Sequence, residues 1–131
     1  MRYTLGTDRT AALRLETLAS FFNPFSRQFI QQHVTAPVTS ALDLGCGPGF
    51  TTAMVAEAAA CPNVCGLDSS SRFLKAAASR FKQCRFLKHD VSRTPFPVRA
   101  DLIYARFLLT HLQNQAELVN QWVRQLNHTG I

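Results

Sequence analysis

The stretch Ala41-Leu42-Asp43-Leu44-Gly45-Cys46-Gly47-Pro48-Gly49-Phe50 restricts the fold more than any other part of the chain. Its apolar start is too short for a helix and suits a buried strand. Three glycines at alternate positions follow directly, so the next turn can take positive φ and has no side chains to keep a ligand off the backbone. In an open parallel sheet, the first strand-to-helix turn lies at the carboxyl ends of the strands, where ligands bind. The amides that open the following helix are expected to point outward, so that main chain alone could hold a polar ligand. Dinucleotide loops read GxGxxG, whereas here the pattern is GxGxG and Phe50 stands where the third glycine belongs. A GK[ST] triphosphate loop is also absent. A hydride-transferring dehydrogenase is therefore the runner-up enzyme reading, not the first.

The rest of the chain alternates regularly. Helical spacing of Leu15, Leu18, Ala19 and Phe22, then of Phe25, Phe29, Ile30 and Val34, predicts two N-terminal helices divided at Asn23-Pro24. The Phe21, Phe22 and Phe25 cluster is expected in their core. After Ala41–Leu44 come a helix from about Phe50 to Ala60, a strand Val64–Leu67, a helix Ser70–Phe81, and strands Arg85–Lys88 and Leu102–Ala105. Strands separated by amphipathic helices imply right-handed crossovers and a parallel sheet covered on both faces. Asn114 with Glu117 reads as a capping box ahead of a last helix carrying Leu118, Val119, Trp122, Val123 and Leu126. The ending Asn127-His128-Thr129-Gly130-Ile131 resembles a turn into a further strand. A fourth strand without a neighbour would leave an open edge, and Trp122, Val123 and Leu126 would lack part of their packing. The expectation is a truncated, marginally stable form whose sheet edge an oligomer or partner chain could cover.

With 131 residues, 47% of them apolar and 17% charged, one globular domain is expected. No run approaches a membrane span and the first residues do not read as a signal peptide, which places the protein in the cytoplasm. Cys46, Cys61, Cys65 and Cys84 lack CxxC and zinc spacings, so free thiols and no metal are expected. Of the 14 basic residues, nine lie between Arg72 and Arg106, within a net charge of +6. A solvated face is the plainer reading, with a basic nucleic-acid-binding module as the alternative.

The motif Asp43-Leu44-Gly45-Cys46-Gly47-Pro48-Gly49 resembles motif I of the class I S-adenosylmethionine-dependent methyltransferases. Further motifs follow in the family's order. Val64-Cys65-Gly66-Leu67-Asp68-Ser69 is similar to its second strand, Phe86-Leu87-Lys88-His89-Asp90-Val91 to the end of its third, and Ala100 through Leu112 to its fourth strand and the turn beyond. The opening Tyr3-Thr4-Leu5-Gly6 resembles a subset with a helical cover over the site. The resemblance implies a Rossmann-like, doubly wound α/β sheet of strand order 3-2-1-4 with later strands missing. It divides the chain into an N-terminal helical cap, 1–36, and a partial methyltransferase domain, 37–131.

The resemblance also implies S-adenosyl-L-methionine as cofactor, methyl transfer as activity and an unidentified acceptor. Residues Asp43, Gly45, Cys46, Gly47 and Gly49 would line the loop, and Asp68 with Ser69 would take the ribose. Asp90 would accept from the adenine amino group, the Val91 amide would face the ring, and Arg106 would lie at the methionine end. Plainer roles stand beside these. Asp43 could hold the turn's amides, Asp68 could cap the helix at Ser70, Asp90 could form a turn, and Arg106 could pack at the surface. His111 tempts as a general base and reads better as structural. Because the cofactor's sulfonium already activates the methyl group, no catalytic residue is assigned. A cofactor-binding or regulatory fragment without turnover is the remaining alternative.

Overall fold

The computed structural model describes residues 8–128 and 130–131. The Tyr3–Gly6 resemblance lies outside them. Helix α1 (Arg9–His33) is followed by β1 (Ser40–Leu44), α2 (Phe50–Ala58), β2 (Asn63–Asp68), α3 (Ser71–Arg80), β3 (Arg85–Lys88), β4 (Leu102–Ala105), a 3-10 turn Leu109–His111 and α4 (Gln115–Val123). The four strands form one parallel sheet in the order β3-β2-β1-β4. This is the expected order.

Strand alternation decides which side each residue packs on. Leu42, Leu44, Cys65 and Leu67 join Val91, Phe96, Leu108, Leu118 and Trp122 on one face of the sheet. Ala41, Val64 and Leu102 join Ile30, Val38, Met54 and Val55 on the other, beneath α1 and α2. The glycine turn and the ends of all four strands therefore sit between two packed layers.

The N-terminal region departs from expectation. It is one helix of 25 residues with Pro24 inside it, capped by Asp8, whose carboxylate accepts from the Ala11 amide. Proline removes the bond that position 24 would donate to the Ser20 carbonyl, a cost that normally breaks a helix. Here packing on both sides of the proline keeps the helix continuous. Asn23 Nδ2 donates to the Phe50 carbonyl, and Arg27 pairs with Glu57 of α2 at 3.2 Å. Of the expected apolar stripe only Ala19 and Ile30 are buried, together with Ala11 outside it, and Phe21 and Phe25 are exposed rather than core.

The last helix also differs in detail. Asn114 is left-handed (φ 53) and its side chain caps nothing, so the expected capping box does not form. Trp122 keeps its packing, being 5% exposed with its indole N–H donating to the Val91 carbonyl, while Val123 is exposed. Along the outer edge of β4, Ile131 donates to the Asp101 carbonyl and accepts from the Ile103 amide. That is the bonding of one rung of a parallel ladder.

Candidate functional site

Glycines 45, 47 and 49 all have positive φ (67, 52 and 92), so the turn is built on backbone that other residues rarely adopt. The turn's own amides are taken inside the chain. Those of Gly45 and Cys46 donate to the Leu67 carbonyl at 2.8 and 3.0 Å, that of Gly49 to the Cys46 carbonyl, and that of Gly47 to Asp68. The turn thus folds back onto the end of β2. Gly66 permits this, because a Cβ there would come within 2.8 Å of Cys46 Cβ and Sγ. Sequence reasoning gave Gly66 no role, although a glycine inside an apolar strand is the usual mark of close backbone approach.

Asp68 is the hinge of this arrangement. Its Oδ2 accepts from the Gly47 amide and its Oδ1 from the Ser70 amide, both at 2.8 Å, and the residue is 1% exposed. The helix cap itself is Ser70, whose hydroxyl accepts from the Phe73 amide. Ser69 is half-buried between them.

Asp43, one strand over, is equally buried. It does not hold the glycine amides. Its Oδ2 accepts from the hydroxyls of Thr51 (2.6 Å) and Thr52 (2.7 Å), in the first turn of α2. Burial raises its pKa to about 6, against the lowering effect of the two threonines and of the Arg106 charge. The threonines also escaped sequence reasoning; the available signal was a pair of hydroxyls eight and nine positions after an acid that the topology would bury. Cys46 is buried, and desolvation pushes its thiol well above the ordinary range.

At the end of β3, the His89 amide donates to the Asp68 carbonyl, which brings Asp90 to the same end of the sheet. Asp90 Oδ1 accepts from the Ser92 hydroxyl at 2.6 Å and from the Ser92 amide at 3.0 Å, forming the turn foreseen as its plainer role. The hydroxyl bond is the main reason its pKa is lowered. Val91 is buried, its carbonyl taken by Trp122. Beyond β4, Arg106 donates to Ser26 Oγ of α1 at 3.1 Å and lies over the Phe107 ring. Phe107 has φ 56 and meets Phe22 edge-on. His111 is exposed in the 3-10 turn, beside a cleft of about 450 Å³ that Ser92, Asn114 and Glu117 also line. Among the described residues no group of His, Cys, Asp and Glu has the geometry to hold a metal ion, and no helix is long and apolar enough to cross a membrane.

Residues expected to bind one ligand are therefore gathered at one end of one sheet, with Asp68 and the glycine turn bonded directly. Each Asp68 oxygen has one acceptor position used and can accept once more, as two vicinal hydroxyls would require. With 1% exposure, Asp68 meets a ligand only after covering atoms part.

Comparison with known proteins agrees with the fold. The family described as "Methyltransferase domain" matches residues 41–130. Trans-aconitate 2-methyltransferase of Rhizobium rhizogenes is 30% identical over 106 residues, which is 81% of this chain and 41% of the relative. The enzyme of the same name from Escherichia coli K12 is 38% identical over 90 residues, 68% of this chain and 35% of the relative. The chain thus spans well under half the length of these relatives. The plantazolicin methyltransferase BpumL, solved with S-adenosylhomocysteine, superposes with a TM-score of 0.69 at 20% identity, covering 92% of this chain and 51% of that one.

Proposed function

The chain belongs to the S-adenosylmethionine-dependent methyltransferase family, and from that premise we propose that it carries the cofactor-holding part of a methyltransferase. In this reading Asp68 and Ser69 take the ribose, the Asp90 carboxylate and the Val91 amide take the adenine, and the backbone of Gly45, Cys46, Gly47 and Gly49 faces the methionine moiety. Asp43 stiffens the turn from behind through Thr51 and Thr52. Arg106 attracts a carboxylate at the β4 end.

One observation carries the reading: Asp68 is clamped by the Gly47 and Ser70 amides, so its carboxylate plane is fixed before any ligand arrives. A preset acceptor loses little freedom on binding, which offsets part of the cost of parting the atoms that cover it. When bound, the cofactor supplies an electrophilic methyl group, so the protein's task is to align an acceptor and exclude water. The fit has a condition. Because the turn's amides are consumed internally, the protein's donors to the ligand must come from elsewhere, Val91 and Arg106 being the residues assigned to it.

Calorimetric titration of the chain with S-adenosylhomocysteine tests the assignment. Asp68→Asn is expected to weaken binding by about tenfold or more, from loss of charge-assisted bonds worth roughly 1.5–3 kcal/mol each. Absence of binding by the unaltered chain at millimolar ligand would overturn the reading. The acceptor to try first is trans-aconitate, which the curated relatives are named for, with transfer of a labelled methyl group as the readout.

A further inference from the structure

We propose that the outer flank of α1 is a two-fold docking surface for a second copy of this chain. Leu18, Phe21, Phe25 and Phe29 fall at helical spacing along one flank, and the three phenylalanines are 63%, 63% and 59% exposed. The row extends to the β4 end: Phe25 meets Phe21, Phe21 meets Phe22, and Phe22 meets Phe107, itself 55% exposed. A solvated helix face is normally charged. Here, between Thr17 and Gln32, the single charged residue is Arg27, and it turns to the opposite flank to pair with Glu57 of α2.

Two features select a second copy as the occupant. The first is symmetry. Phe21 and Phe29 each lie four residues from Phe25, about 6 Å along the axis in either direction. An antiparallel copy about a two-fold axis at Phe25 therefore sets Phe21 of one chain opposite Phe29 of the other, a self-complementary contact. The second is charge. Two chains of net charge +6 repel over most of their surfaces, whereas the α1 part of this flank carries no charge between Thr17 and Gln32, and Arg106 at its margin is held by Ser26 and the Phe107 ring. The exposed parts of the four rings and Leu18 amount to roughly 500 Å² per copy, or about 1,000 Å² for the pair, the size at which specific interfaces begin.

Sedimentation velocity over a concentration series of the chain tests the proposal. The mass is expected to move from one to two copies and stop there. Phe25→Glu places two carboxylates at the axis and is expected to weaken association at least about a hundredfold. Its far-UV spectrum should be unchanged, and so should its urea midpoint at concentrations where both chains are monomeric, because only an exposed ring is lost. Phe25→Cys should oxidise to a covalent dimer, whereas Gln31→Cys, off the flank, should not. The proposal is overturned by a chain that stays monomeric up to about 200 µM, by a Phe25→Glu chain that still pairs, or by open-ended aggregation instead of a dimer.

Discussion

Two regions that touch, the strand-end turn and helix α1, handle their surfaces in opposite ways. At the turn, Asp43 and Asp68 are buried, and they and the amides of Gly45, Cys46, Gly47 and Gly49 are each tied to a partner inside the chain. On α1, whose Leu15 reaches to within 3.7 Å of a Cβ placed on Gly47, large apolar rings stand in water. The turn is over-determined by short-range bonding, and its residues have little choice of position. The helix is fixed on one side only, so its remaining surface is free to serve something other than folding.

The largest expected effect breaks the turn. Asp68→Ala leaves the buried Gly47 amide and the part-buried Ser70 amide without acceptors, each costing about 1–3 kcal/mol. A loss of roughly 2–5 kcal/mol by urea denaturation is therefore expected. A loss below about 1 kcal/mol would mean that the clamp is not formed in solution.

Acidity probes the same region through Asp43. Its folded pKa is about 6, while the ordinary value is 3.8. Between these values the folded chain holds a proton that the unfolded chain has released. The contribution of Asp43 is full below about pH 4, falls away as pH rises towards 6, and is flat above, a change of about 3 kcal/mol. Asp43→Asn should remove that slope from a plot of stability against pH. If the slope persists in the variant, another group is its source.

Gly66→Ala is the steric counterpart. Its added methyl meets Cys46 and Phe86 at under 3 Å, and overpacking of this kind costs about 1–3 kcal/mol. Pro24→Ala sharpens the comparison from the other side. If α1 is continuous, alanine restores a missing helical bond and raises stability by about 1–2 kcal/mol. If the chain were two helices with Pro24 in a first turn, the same change would be neutral or slightly harmful.

The contrast also explains what could be read from the sequence. Strand order and the gathering of Gly45–Gly49, Asp68 and Asp90 were legible because local patterns suffice: short apolar runs, glycines at turns, acids where strands end. Bonding directions were not. Whether a turn's amides face a ligand or the carbonyl of Leu67 depends on how closely two strands approach, and Gly66 sets that distance from a different part of the chain. At α1, the local signal Asn23-Pro24 favoured a break, and contacts with Phe50 and Glu57, distant in sequence, overrode it. The same pattern misplaced the phenylalanines, since helical spacing identifies a shared face without telling whether anything covers it.

The one tryptophan of the chain gives the site a built-in optical reporter. Trp122 rests on the same residue, Val91, whose amide is assigned to the adenine ring. A nucleoside settling there perturbs the indole from the opposite side of one residue, so intrinsic fluorescence can follow occupancy without a dye, a label or turnover.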